Sequence, residues 1–203
     1  PIPSKKINRP LGDVLLQKNL IIAILAAAVG YSLMSFIMTA TPLQIVNVCK
    51  LGDSASATVI QWHVIAMFAP SFFTGTIINS LGNRKVMMIG LFLYAFSISF
   101  TIIGQTIEHF WIALFLCGLG WNFLYVGGSD IIAKSALPEE RAKVQGVTDF
   151  IIFVFVATGS FLAGALHSTL GWEIMMFYTS IPIFILFMSI IIINPDGGIK
   201  ARH

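Results

Sequence analysis

Gly75-Thr76-Ile77-Ile78-Asn79-Ser80-Leu81-Gly82-Asn83-Arg84-Lys85 is a short polar turn with two cations, set between apolar runs at Ala57 to Leu81 and Val86 to Gly104. A bilayer core ~30 Å thick takes roughly 20 apolar residues per helix, so both runs read as membrane spans and the turn as the loop joining them. Moving outward, four more runs of that length appear, at Leu20 to Thr41, Phe110 to Ala133, Val144 to Leu170 and Ile174 to Ile193. Composition agrees. Of 203 residues, 57% are hydrophobic and 10% charged, against ~25% charged in soluble domains. A water-soluble domain is therefore excluded.

The cations decide the sidedness of the six spans. With the amino terminus inside, Lys5, Lys6, Arg9, Lys18, Arg84, Lys85, Lys134, Arg141, Lys143, Lys200 and Arg202 all fall on the inner side, and Lys50 alone falls outside. The positive-inside rule then puts both termini in the cytoplasm. The basic surplus behind the formal charge of +3 thus has a reason in membrane sidedness and gives none to expect nucleic acid as a partner. Residues 1–19 read as a cytoplasmic linker, 20–193 as a six-helix bundle and 194–203 as a tail, where Asn194-Pro195-Asp196-Gly197-Gly198 stops the helix. The chain opens on Pro1 with no signal-peptide pattern, which fits a segment of a longer protein. Cys49 and Cys117 have neither disulfide nor metal spacing, and no cofactor motif is legible.

The turn from Gly75 to Lys85 resembles the cytoplasmic signature of the major facilitator superfamily, a Gly, three residues, an acid, a base, then Gly and basic residues. Gly75, Gly82, Arg84 and Lys85 match; Asn79 stands at the acidic position and Ser80 at the next. These departures take away the charges a relay through the loop would need. Pro138-Glu139-Glu140-Arg141-Ala142-Lys143 resembles the family's loop between the fourth and fifth helices of a half. The resemblance implies an all-α membrane protein whose six spans form two three-helix inverted repeats, the carboxy-terminal half of a transporter in a bacterial inner membrane. It further implies an amino-terminal six-helix half and membrane lipids as partners, and a small solute moved by alternating access, with proton exchange or co-transport left open.

Helix faces supply the candidate residues. Trp121, Asn122 and Tyr125 lie near the middle of the fourth span. Asn122 and Tyr125, three apart, could address one ligand. Ser32, Ser35 and Thr39 form a stripe on the first span, and Gln61 lies in the second. Each can also serve helix packing. The resemblance places the first and fourth helices on the central cavity, so Trp121, Asn122, Tyr125, Ser35, Thr39 and Gln61 are the expected solute contacts. Their aromatic and neutral polar character suits a neutral or weakly charged, partly flat organic solute. Asp130 and Asp149 are carboxylates inside spans, where an unpartnered charge costs at least ~2.5–3.5 kcal/mol. Both should lie near the cytoplasmic end within reach of Lys134, Arg141 or Lys143, in ion pairs, gating or proton coupling. His63 is either a gate or an interfacial histidine, and Pro70 should kink the second span. Gly75 and the small face of the fifth span, with Ser160 and Gly164, should let helices approach closely.

Two other functions compete with transport. Gly127-Gly128-Ser129-Asp130 superficially resembles an intramembrane serine protease motif, but its final Gly is missing and the sixth span has no histidine to act as base. The chain is accordingly expected not to be an enzyme. A six-span scaffold or a degenerate half-transporter is the remaining alternative.

Overall fold

The structure, a computed structural model, describes residues 9–198. Lys5, Lys6, Lys200 and Arg202, four of the cations assigned to the inner side, lie outside the described residues, as do the ends of the expected linker and tail. The chain is all-α among the described residues. A short helix α1 (Leu11–Leu15) precedes α2 (Lys18–Pro42), which continues into a π-helical turn (Leu43–Val48). Then come α3 (Asp53–Phe68), α4 (Ser71–Leu81), α5 (Asn83–Ile103), α6 (Ile107–Ser135), α7 (Arg141–Leu170), α8 (Trp172–Tyr178), α9 (Ser180–Ile193) and a 3₁₀ turn (Pro195–Gly198).

Six spans result when α3 and α4 are taken as one bent span and α8 with α9 as another. Proline causes both interruptions. Pro70 has no N–H for the Ala66 carbonyl, and the axis turns by 44° between α3 and α4. Pro182 likewise withholds a hydrogen bond from Tyr178, and the helix breaks at Thr179. The first span is longer than expected: from Lys18 to Val48 it has 31 residues, or about 46 Å at 1.5 Å per residue, and its last turn projects beyond a ~30 Å core.

The packing repeats internally. The first span (α2) lies against the fourth (α6) and fifth (α7), and the fourth lies against the first, the second (α3) and the third (α5). The sixth (α9) reaches the first and third. Exchanging spans one to three with spans four to six maps these pairings onto each other. Because each unit has an odd number of spans, its copy starts from the opposite face, which makes the repeats inverted.

Glycines on α6 allow the closest crossings. A Cβ on Gly128 would lie 2.7 Å from the Ala23 carbonyl oxygen, one on Gly118 2.6 Å from that of His63, and one on Gly120 2.9 Å from that of Gly90. Helix α6 thus touches α2, α3 and α5 through backbone. Two expected contact points meet no neighbour among the described residues of this chain. A Cβ on Gly75 or Gly164 would have nothing within 4 Å, and on α7 the close approach falls instead at Gly159, where a Cβ would meet Ser32 Oγ at 2.5 Å. Gly75 follows the turn of α4 after Pro70, and Gly164 lies on the open side of α7.

The first and fourth spans form the centre, and 67% of the apolar window of the first is buried against 17% for the fifth. Phe68, Phe72 and Phe73 around the bend of the second span, and Phe150, Phe153 and Phe161 on α7, are exposed.

Candidate functional site

Near the middle of the bundle five rings from four spans converge. Trp121 and Tyr125, one helical turn apart on α6, stack with centroids 5.1 Å apart and planes 8° from parallel. Tyr31 on α2 sets its ring edge against Trp121 at 5.3 Å and against Tyr125 at 5.4 Å. Phe153 on α7 lies 5.9 Å from Tyr31, and Phe68 on α3 lies 5.8 Å from Trp121. Trp121 is 5% exposed and its indole N–H has no hydrogen-bond partner among the described residues. A buried donor left unpaired costs ~1–3 kcal/mol, so the indole N–H is an unmet demand for an acceptor in a cluster whose other polar groups are the Tyr31 and Tyr125 hydroxyls. Phe68 and Phe153 leave its flank open on the exposed faces of the second and fifth spans.

Tyr31 is absent from the residues expected on sequence grounds. Its signal was present: a hydroxyl-bearing aromatic in a mostly aliphatic span, one turn before Ser35, where a stacking group and a polar handle coincide.

Asn122 does not join this cluster. Its side chain is fully buried against the second span, with Nδ2 donating to the Met67 carbonyl at 2.7 Å and to Ser71 Oγ at 2.6 Å. Its Oδ1 accepts from the Thr74 hydroxyl at 2.6 Å. The amide therefore bridges both sides of the break at Pro70, taking up backbone and hydroxyl groups that the missing helical bonds leave over. Asn122 and Tyr125, expected to address one ligand, have separate partners here: the amide is bonded to the second span, and the phenol ring packs against Trp121 and Tyr31.

The remaining candidates are dispersed. Ser35 Oγ pairs with Ser160 Oγ at 2.5 Å, and Ser32 Oγ donates to the Phe155 carbonyl at 2.9 Å, so this stripe joins α2 to α7. Thr39 and Gln61 are exposed. His63 is buried rather than interfacial, with Nδ1 donating to the Leu114 carbonyl at 2.7 Å and Nε2 unpartnered among the described residues. Pro70 sits at the bend.

At the basic end, Asp130 Oδ2 accepts from Lys134 Nζ at 2.5 Å and from Asn83 Nδ2 at 2.8 Å. This anchors the start of α5 to the end of α6. Asp149 Oδ1 accepts from Gln145 Nε2 at 2.7 Å. Arg141 is exposed and borders a crevice of about 220 Å³ between α6 and α7.

In the turn between the second and third spans, Gly82 has φ 85°, and Asp196 beyond α9 accepts from the Arg84 backbone N–H at 3.2 Å. The Arg84 guanidinium donates to the Ile191 carbonyl at 3.2 Å. A carboxylate thus meets the positive start of α5, and a cation the negative end of α9. Lys85 and Asn79 are exposed. Among the described residues, no group of three or more His, Cys, Asp or Glu side chains is placed to hold a metal ion.

A family model described as Major Facilitator Superfamily matches residues 12–201. The riboflavin transporter RfnT of Brucella anthropi is 45% identical over 166 residues, 82% of this chain and 42% of the relative. The uncharacterized MFS-type transporter YdeG of Bacillus subtilis is 35% identical over 153 residues, 73% of this chain and 35% of the relative. The riboflavin transporter RibZ of Clostridioides difficile is 20% identical over 137 residues, 68% of this chain and 30% of the relative. The chain spans less than half the length of these curated relatives.

Proposed function

Because the chain belongs to the major facilitator superfamily, we propose that it works as one six-helix half of a secondary transporter, alternating access to a central site shared with a second half. The solute is a small, flat heteroaromatic molecule of the riboflavin type. The observation that carries this reading is the Tyr31, Trp121 and Tyr125 cluster with its partnerless indole N–H. Stacked rings favour a planar solute, and the indole donor favours one with a carbonyl or ring nitrogen at its edge. The names of the riboflavin transporters support the same class. The exposed phenylalanines of the second and fifth spans are the surface on which the second half rests, and the cluster's open flank then faces that interface.

The charge pattern supports a bacterial inner-membrane orientation with both termini cytoplasmic. Asp149, bonded to a neutral amide, is the better candidate for proton coupling. Asp130, tied to Lys134 and Asn83, acts as a structural anchor. Gln61 and Thr39 on exposed faces, and Arg141 at the start of α7, are solute or gating contacts across the interface.

Uptake of riboflavin into vesicles containing the protein with its second half tests the reading. Saturable uptake is expected. Trp121→Phe, which keeps an aromatic ring at the position but removes the N–H donor, should raise the KM about tenfold with little change in maximal rate, while Trp121→Ala should lower both affinity and rate. Uptake no greater than in empty vesicles, or unaltered by both substitutions, would sink this function for the site.

A further inference from the structure

The end of the bundle opposite the basic loops holds a second polar assembly, which the central site does not use. Gln44 lies in the π-helical turn that finishes the first span, and it is 3% exposed. Its Nε2 donates to Gln105 Oε1 at 2.7 Å, in the link between α5 and α6, and its Oε1 accepts from His167 Nε2 at 2.9 Å, near the end of α7. Cys49 Sγ donates to the same Gln105 oxygen at 3.2 Å. One amide therefore joins the first span to the third-to-fourth link and to the fifth span. The Trp172 ring packs edge-on to His167 with centroids 6.4 Å apart, and its Nε1 donates to the Thr101 carbonyl at 2.9 Å. A crevice of about 360 Å³ runs alongside, bordered by Gln44, Gln105, His167 and Glu173.

Three properties separate this assembly from ordinary packing. The bonds at Gln44 are side chain to side chain and border a crevice, so water can take the place of either partner. The segment they hold is wound as a π turn, a rare geometry that is frequent at functional sites. On its far side the chain passes through Lys50 at φ 57° and Gly52 at φ 92°, a junction that breaks the helix before α3. Below it, by contrast, the first span is fixed by apolar burial and backbone crossings against α6.

We propose that Gln44, Gln105 and His167 form an outer latch, which holds the π-helical end of the first span against the fifth span and releases it once in each transport cycle. The proposal rests on the transport reading. Gln44 is a positioning residue in it, far from the aromatic cluster along the first span.

The test uses the whole transporter in vesicles, with Cys49→Ser to remove the native thiol near the latch. Gln44→Cys and His167→Cys together, bridged by a short bifunctional methanethiosulfonate reagent, should reduce uptake at least tenfold, and reduction should restore it. Each single cysteine variant treated alike should keep most of its uptake. In the otherwise unaltered protein, alkylation of Cys49 by a membrane-impermeant maleimide should speed up several-fold while solute is being transported, which provides a readout free of any substitution. Failure of the pair to cross-link, uptake continuing at the unbridged rate, or Cys49 alkylation indifferent to transport would each overturn the latch. Lack of uptake by the unaltered protein would instead overturn the transport reading on which it rests.

Discussion

Asn122 shows how a polar residue inside a membrane span can belong to the fold although its chemistry suits a ligand. In the sequence it stands beside Trp121 and one turn from Tyr125, and an amide there is as well suited to a solute as to a helix. In the structure both of its polar atoms are engaged across the break at Pro70. Replacing it with leucine should destabilise the protein by about 1–3 kcal/mol, since the Met67 carbonyl and two hydroxyls lose a buried partner. The check is thermal unfolding in detergent, and a variant as stable as the parent would contradict the bridging role. Trp121 is the converse case. The sequence marked it, and its partnerless N–H became evident only when its surroundings were packed. What the sequence could not convey at this scale is direction: residues three apart on a helix share a broad face, but which neighbour fills the space beside each is set by the other spans.

At the scale of elements, the sequence located all six spans, because hydrocarbon thickness imposes a length that an apolar run either meets or misses. Pro70 was legible for the same kind of local reason, the loss of a donor within its own helix. The glycines were legible only in part: those of the fourth span read as close-packing positions, and they are. Gly75, Gly120, Gly128 and Gly164 all look alike in an apolar run, yet only two of them lie where a neighbouring backbone passes. Gly128→Ala should cost about 1–3 kcal/mol, because its methyl would sit 2.7 Å from the Ala23 carbonyl oxygen. Gly164→Ala should be neutral or stabilising by up to ~1 kcal/mol, since it has open space and gains helix propensity. Comparing the two melting temperatures checks the assignment, and equal losses would refute it. The π-helical end of the first span was likewise hidden, since its winding depends on where Gln105 and His167 lie, and both are distant in sequence.

For the whole molecule, the described segments that flank the spans are tied to the bundle as well as the spans to each other. Arg9 makes a two-bond pair with Glu140, through Nε at 3.1 Å and a second guanidinium nitrogen at 2.7 Å, so the segment before the first span is fastened to the link between the fourth and fifth. The hydrogen-bonded guanidinium holds the Glu140 carboxyl below its ordinary value. A carboxyl depressed in the folded state stabilises fully above its unfolded value and loses that contribution as pH falls through the folded one. The melting temperature of the parent should therefore exceed that of Glu140→Gln slightly at neutral pH, and the difference should vanish on acidification below the usual carboxylate range. A difference that persists in acid would rule out the pair as its source. The sequence by itself determined the membrane class, the number of spans and the division of basic from neutral loops, because each follows from solvent and length acting on one segment at a time. The tertiary structure alone decided which polar groups are spent on the fold and which remain available, why Tyr31 joins Trp121, and where helices touch. Those outcomes depend on the crossing of segments remote in sequence, and a buried polar atom is satisfied only by what the crossing brings within about 3 Å.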